Sequence, residues 1–168
     1  PTPIMHWLNT LDTGNGATDQ FNQTVVLQAP TTTTETDIIE LLQALLDHHG
    51  MLRAHTNPNT WTLTVPQPGT IAAADCLHTA TTLDNHTLTT ARAQLNPATG
   101  HMLRALWIPT TKQLALIIHH LAIDGVSWRI IAEDLNIAWT QHHADQPIQL
   151  PPTTTSFPRW AELLHQSA

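Results

Sequence analysis

The chain has 168 residues, of which 41% are hydrophobic and 11% are charged. This length fits one compact domain, and the apolar content is high enough for a buried core, which excludes a disordered chain. Six lysines and arginines stand against 13 acidic residues, for a formal charge of −7. The chain therefore lacks the basic field needed to bind nucleic acid or an anionic membrane surface.

The longest apolar run lies around residues 114–118 and is far shorter than the ~20 residues needed to span a bilayer. The amino terminus has no basic segment followed by an apolar one, as an export signal would have. We therefore expect a cytoplasmic protein without a membrane partner. The single cysteine, Cys76, excludes an internal disulfide.

The first predicted strand covers residues 23–28, where a β-rich run ends at an Ala-Pro pair. The first predicted helix covers residues 36–49, because isoleucines and leucines recur there every three or four residues. Thr34 or Thr36 can cap its start, and Gly50 follows its last turn.

Two extended segments, 51–56 and 60–65, flank an Asn-Pro-Asn triplet and predict a hairpin. A helix is predicted near 86–95, and residues 70–84 carry no clear pattern. The sequence therefore predicts neither a helix nor a strand for residues 70–84.

A second hairpin is predicted from residues 102–108 and 113–123, and its second arm is apolar enough to be buried on both faces. A helix follows at about 127–141, then a connector rich in proline and threonine at 147–158, then a short helix around Trp160. Strands and helices interleave with hairpins between them. This order predicts an α/β or α+β fold, in which helices cover a mixed β-sheet.

Twelve histidines are present, and six of them form adjacent pairs: His48 with His49, His119 with His120, and His142 with His143. The first and third pairs fall at the ends of predicted helices, where imidazoles interact favourably with the helix dipole. We interpret these two pairs as surface residues and predict no metal site. Only the middle pair lies in an apolar strand.

Two imidazoles in an apolar strand are costly unless their polar atoms find partners. Successive side chains on a strand point to opposite faces, so His119 and His120 cannot grip one ion or one substrate atom. One of them is expected to face the packed layer, and the other to face a site for substrate. Asp124 lies four residues beyond His120, ~13 Å away along an extended chain, so it needs another partner.

We expect that partner to be Arg53, in a structural ion pair with Asp124. Gly125 is expected to permit the turn that leads the chain into the following helix, and Ser127 to cap that helix.

The segment that begins at His119 resembles a known protein family. Residues 119–125, His-His-Leu-Ala-Ile-Asp-Gly, match the His-His-x-x-x-Asp-Gly signature of the condensation superfamily of nonribosomal peptide synthetases. The next residues, 126–130 (Val-Ser-Trp-Arg-Ile) and 133–135 (Glu-Asp-Leu), are most similar to the epimerization branch. So are Thr-Pro-Ile at 2–4 with Trp7, and Phe-Asn-Gln at 21–23. Leu52-Arg53 resembles the Leu-Arg motif of the family, although His55 stands where the family often has a second arginine.

The resemblance implies a lobe like that of chloramphenicol acetyltransferase, with residues 1–150 as the amino-terminal lobe. Residues 151–168 would then be the connector and the start of the crossover to a second lobe. It also implies that His120 faces a tunnel between the lobes as the catalytic residue. The structural and supporting residues would be His119, Asp124, Gly125 and Arg53, with Arg53 paired to the signature aspartate. Arg129 is a possible tunnel contact.

The implied substrate is an aminoacyl or peptidyl thioester on the phosphopantetheine arm of a peptidyl carrier protein, and the chain itself would bind no cofactor. The implied partners are this carrier protein, the carboxyl-terminal lobe and adjacent synthetase modules. Epimerization would invert the L-configured thioester by exchange of its α-proton, with His120 as acid or base. Relatives supply a second acid-base group, a glutamate, from the carboxyl-terminal lobe, so we expect the lobe alone to be inactive.

Two alternatives remain open. In a condensation domain, His120 would orient or deprotonate an amine that attacks the upstream thioester, forming a peptide bond. In a non-catalytic lobe, the same surface would only dock carrier proteins.

Overall fold

A four-stranded mixed sheet organises the fold in the computed structural model, which describes residues 1–11, 18 and 20–167. The helices are α1 (Pro3–Leu11), α2 (Glu35–His48), α3 (Ala73–Cys76), α4 (Asn85–Arg92), α5 (Gly125–His143) and α6 (Phe157–Gln166). The strands are β1 (Asn22–Gln28), β2 (His55–Thr56), β3 (Leu63–Thr64), β4 (Leu77–Thr79), β5 (Leu103–Ile108) and β6 (Gln113–His119). Two short 3-10 helices lie at Gly50–Arg53 and Pro97–Thr99.

The strand order of the main sheet is β1-β6-β5-β4. Strand β6 pairs antiparallel with both β1 and β5, whereas β4 pairs parallel with β5. The register of β1 against β6 places Asn22 opposite His119 and Gln23 opposite Ile118. The predicted fold class, a mixed sheet covered by helices, is confirmed.

Both faces of the two central strands are covered. Residues of one parity, such as Leu116 and Ile118 of β6, pack into the larger cluster with α2, α3 and α5. Residues of the other parity, such as Ala115 and Ile117, pack with Ala91 of α4 in a smaller cluster. This explains the unbroken apolar run of β6, because a strand that is buried on both faces has no solvent side on which to alternate.

The helix predicted over 36–49 forms as α2, and its first turn explains its start. The Thr34 side chain accepts from the backbone N–H of Asp37, and the Asp37 carboxylate accepts from the backbone N–H of Thr34. This reciprocal capping box satisfies two backbone donors that the helix leaves open.

Among the α-helices and β-strands that the structure describes, α1, α3 and β4 were not predicted. The last two are short, four and three residues, so neither carries enough periodicity to be recognised. The second predicted hairpin forms, but its second arm ends at His119 rather than Ile123. The chain turns there, and the backbone N–H of Ala122 donates to the carbonyl of His119 at 2.9 Å.

In the described part of the chain, no helix combines the length and the apolar character needed to cross a membrane. The long helix α5 instead packs on α2 and is linked to it by a histidine. His142 Nε2 lies 2.7 Å from Asp37 Oδ1, and His142 Nδ1 lies 3.2 Å from Glu40 Oε2. His142 is therefore half-buried between two carboxylates, and not the freely exposed residue that its position near a helix end suggested.

The link between His142 and α2 should make the stability of the chain depend on pH. The hydrogen bond to Asp37, opposed in part by burial, raises the pKa of His142 above its ordinary value of 6.5. Stabilisation by this group is thus complete below about pH 6.5 and is lost as the pH rises through the raised value. We expect His142→Gln to lower the free energy of unfolding by about 0.5–1 kcal/mol at acidic pH, and by less under alkaline conditions.

Urea unfolding at a series of pH values measures this difference between the variant and the wild type. His78→Gln, at an exposed position of β4, is the matched control and should leave the pH dependence unchanged. A loss of unfolding free energy in His142→Gln that grows as the pH rises would contradict a raised pKa for His142.

Candidate functional site

The two histidines of the signature are separated by the end of β6. His119 is the last residue of the strand and continues the row of Ala115 and Ile117, on the side of α4. His120 is the first residue of the turn, and its backbone N–H donates to the carbonyl of Phe21 at 2.7 Å. The structure thus gives the two rings different surroundings.

His119 is fully buried, and its two ring nitrogens have different partners. Nδ1 accepts from the backbone N–H of Leu121 at 3.2 Å, and Nε2 lies 2.8 Å from the carbonyl oxygen of Thr18. Because a carbonyl can only accept, Nε2 must carry the proton. His119 therefore ties the turn to the segment before β1, as a structural residue would.

His120 is half-buried and is held on two sides, by Phe21 just before β1 and by Gln23 of β1. The ring of Phe21 stacks on it, with centroids 4.8 Å apart and planes inclined by 16°. The side-chain nitrogen of Gln23 lies 2.9 Å from His120 Nε2. The other end of that amide, Gln23 Oε1, accepts from the indole N–H of Trp128 at 2.7 Å.

Asp124 corrects one expectation, because it caps α5 instead of pairing with Arg53. Its Oδ1 accepts from the backbone N–H of Val126 at 3.1 Å, and from the backbone N–H and the hydroxyl of Ser127, each at 2.7 Å. The hydrogen bonds from Ser127 are the main cause that lowers the pKa of the Asp124 carboxyl. The cap is thus Asp124 itself and not Ser127, which instead donates to it.

Arg53 has other partners. Its guanidinium donates to the carbonyl oxygens of Leu46, Asp47 and Pro66, and the side chain is buried. Two of these carbonyls belong to the last turn of α2, where a cation offsets the negative end of the helix dipole. Within the described residues, Arg53 and Asp124 form no ion pair, so the predicted pairing is wrong.

Gly125 and Arg129 also differ from expectation. Gly125 is the first residue of α5, its φ lies outside the left-handed region, and a Cβ built there would meet nothing within 4 Å. The turn before α5 therefore does not require glycine at this position. Arg129 is exposed and, in the described part of the chain, is not among the residues that line the cleft beside His120.

That cleft has a volume of about 500 Å³ and opens to solvent. Residues of α1, the turn after β6 and the start of α6 line it, among them Trp7, His120, Asp124 and Phe157, together with Phe21. A second cleft, of about 340 Å³, adjoins it and shares Met51, Ala122, Ile123, Ser127 and Phe157. The imidazole of His120 is thus a polar group on a largely apolar wall.

Three residues with metal-ligating atoms meet near the second cleft. The ligand atoms of His48, His49 and Asp134 all lie within 4.8 Å of one another. His49 Nε2 is already 2.8 Å from Asp134 Oδ2, so the buried carboxylate has a partner without a metal. Burial lowers the pKa of His49, and the hydrogen bond to Asp134 opposes this shift. We interpret the pair as a structural link from the end of α2 to α5.

Sequence reasoning overlooked the partners of His120. Phe21, Gln23 and Trp128 lie in segments that resemble the epimerization branch, but no role was predicted for any of them. The signal that could have found Gln23 is the pairing of β1 with β6, because Gln23 stands opposite Ile118, two residues before His120. Strand partners so far apart in the chain are not visible in local sequence patterns.

A protein-family model for the condensation domain matches residues 9–168. The chain belongs to the condensation domain family. It is 31% identical over 180 residues to chondramide synthase cmdD of Chondromyces crocatus, covering 99% of this chain and 5% of the synthase. It is 30% identical over 180 residues to tyrocidine synthase 1 of Brevibacillus parabrevis, covering 99% of this chain and 16% of that synthase.

Among solved structures, the chain is similar to the epimerization domain from the third module of tyrocidine synthetase B. The TM-score is 0.81 at 23% identity, over 98% of this chain and 40% of that chain. This likeness shows the fold, which is the chloramphenicol acetyltransferase-like fold of condensation and epimerization domains. The chain spans less than half of that domain structure and a small fraction of each synthetase relative.

The cap at Asp124 can be tested by comparing two substitutions. Asparagine caps helices about as well as aspartate, whereas alanine does not, so Asp124→Asn should stay within about 0.5 kcal/mol of wild type. Asp124→Ala should lose about 1–2 kcal/mol of unfolding free energy, measured by urea titration. Equal losses in the two variants would indicate that the charge, and not the cap, is what stabilises the turn.

The two signature histidines should differ in their effect on stability. His119→Leu leaves the N–H of Leu121 and the carbonyl of Thr18 without partners in a buried site, which should cost about 2 kcal/mol or more. His120→Leu replaces a half-buried ring on an open cleft and should cost less than about 1 kcal/mol. The same urea titration checks both, and a reversed order would exchange their structural assignments.

Proposed function

We propose that this chain is the amino-terminal lobe of an epimerization domain in a nonribosomal peptide synthetase, and that His120 is its catalytic residue. The observation that carries the proposal is the position of His120 on the wall of the open cleft, where its Nε2 accepts a hydrogen bond from Gln23. An imidazole with an unprotonated nitrogen beside a cavity can act as a base near neutral pH. Residues 126–130 and 133–135, which resemble the epimerization branch, support the same conclusion.

In the proposed reaction, the substrate is an L-aminoacyl or peptidyl thioester on the phosphopantetheine arm of a carrier protein. His120 removes the α-proton, and the electron pair of the C–H bond moves into the thioester carbonyl to form an enolate. Return of a proton to the opposite face of the α-carbon gives the D-configured thioester. That proton requires a second acid on the far side of the substrate, for which we propose the glutamate that relatives place in the carboxyl-terminal lobe.

A second lobe as partner is supported by the apolar residues that remain exposed near the cleft. Ile4, Trp7 and Phe21, which line it, are 61%, 52% and 42% exposed. On α5, Val126 and Ile130 are 68% and 47% exposed. Large apolar side chains gathered around a concave site are typical of a surface that another protein body covers.

We propose that residues 1–150 form this lobe and that 151–168 lead toward the second one, although Ala168 lies outside the described residues. The apolar residues Trp160, Leu163 and Leu164 of α6 are 48%, 41% and 37% exposed, which suits a segment that continues into another packed unit. The proposed setting is the cytoplasm, with a peptidyl carrier protein and adjacent synthetase modules as further partners.

Condensation is the second candidate, because the family model that matches the chain describes a condensation domain. The same imidazole would then orient or deprotonate an attacking amine. A lobe that only docks carrier proteins would use neither activity.

One experiment distinguishes epimerization, condensation and docking without catalysis. A two-lobed protein that contains this chain is incubated in deuterated water with an L-aminoacyl carrier protein, and a carrier protein bearing an upstream acyl thioester is added in a parallel reaction. Epimerization incorporates deuterium at the α-carbon, because the returning proton comes from solvent. We expect deuterium incorporation in the wild type. We expect His120→Ala to reduce its rate by about 10²-fold or more, because about 10²-fold is the lower end of the contribution of a positioned general base.

His86→Ala, an exposed histidine of α4, is the matched control and should keep the wild-type rate. Amide product without deuterium would replace epimerization with condensation. If neither deuterium incorporation nor amide product is observed, docking is the remaining function. Deuterium incorporation that survives His120→Ala would show that His120 takes no part in the chemistry.

A further inference from the structure

The amide of Gln23 can adopt only one orientation between its two partners. The indole nitrogen of Trp128 is a donor and cannot accept, so the end of the amide that meets it at 2.7 Å must be the oxygen, Oε1. The opposite end, which lies 2.9 Å from His120 Nε2, is therefore the NH₂ group. The hydrogen bond from Trp128 thus decides which way the amide faces.

This orientation determines where His120 carries its proton. An NH₂ group donates, so His120 Nε2 must accept with its lone pair, and the ring proton of the neutral imidazole is then on Nδ1. The stacked ring of Phe21 limits tilting of the imidazole away from this bond. Phe21 just before β1, Gln23 of β1 and Trp128 of α5 therefore hold one tautomer.

We infer that Gln23 is a positioning residue for His120: anchored by Trp128, its amide keeps Nε2 unprotonated and able to take a proton. A protein that needs an imidazole as a base must control which nitrogen is free, because the two point in different directions. When Nε2 takes the α-proton of a substrate, the hydrogen bond from the Gln23 amide to that nitrogen breaks, because its single lone pair cannot serve both. The catalytic part of this inference rests on the proposed function, whereas the tautomer does not.

Gln23→Glu is the decisive substitution because it keeps the shape of the side chain and removes the donor. Glutamate still accepts from Trp128 through one oxygen, but its other oxygen can only accept from His120. Nε2 must then carry a proton, in either the opposite tautomer or the imidazolium form. Gln20→Glu introduces the same charge three residues earlier, at an exposed position, and is the matched control.

The tautomer is measured by ¹⁵N nuclear magnetic resonance of the full chain labelled at histidine, with His120 assigned from the spectrum of His120→Gln. At alkaline pH we expect a protonated Nδ1 and an unprotonated Nε2 in the wild type and in Gln20→Glu. Gln23→Glu should move the proton to Nε2. Trp128→Phe, which removes the anchor of the amide, should raise the share of the Nε2-protonated form.

A wild-type ring protonated on Nε2, or a Gln23→Glu ring still unprotonated there, would overturn the inference. In the two-lobed protein, Gln23→Glu should lower kcat for deuterium incorporation by about 10²-fold, with little change in KM, while Gln20→Glu keeps the wild-type rate. Wild-type incorporation together with an Nε2-protonated ring would refute the role of Gln23 and keep the proposed function. The expected tautomer without deuterium incorporation would refute the proposed function and keep the effect of Gln23 on the tautomer.

Discussion

The antiparallel pairing of β1 with β6 is the constraint on which the rest of the site depends. Strand β6 is buried on both faces, so its position in the sheet is fixed by the two apolar clusters that cover it. A slip of one residue between the strands would turn every side chain of β1 to the other face. The observed register brings Phe21 and Gln23 beside His120, so the same packing that stabilises the core also holds the imidazole.

Much of this fold follows from patterns that are local in the sequence. The unbroken apolar run of β6 and the three- and four-residue repeats of α2 and α5 are strong local signals, and these elements form where they were predicted to within a few residues. The site is less local, because the contacts of His120 come from residues about a hundred positions away. Sequence reasoning could separate His119 from His120 by strand alternation, but it had no access to the strand register that selects their partners.

The wrong pairing of Asp124 with Arg53 has a physical reason. A carboxylate near a buried strand needs donors, and the predicted donor was a distant cation, although Asp124 stands three residues before Ser127 at the start of a helix. Open backbone N–H groups at a helix start are available without the loss of side-chain entropy that a long-range ion pair requires. Arg53 meets the complementary need at the other end of a helix, where carbonyl groups of α2 are open. Each charge is thus satisfied by the helix terminus nearest to it.

The adjacent histidines show the same principle of separate partners. Neighbours on a helix or a strand point in different directions, so each ring of a pair finds its own environment. His49 contacts Asp134, His142 contacts Asp37, and His119 contacts the carbonyl of Thr18. These three rings are bound to fixed oxygen acceptors, which suits structural links. Nε2 of His120 instead meets a donor, the amide of Gln23. This nitrogen therefore carries a lone pair where the other three rings present a proton, and this difference sets His120 apart as a candidate base.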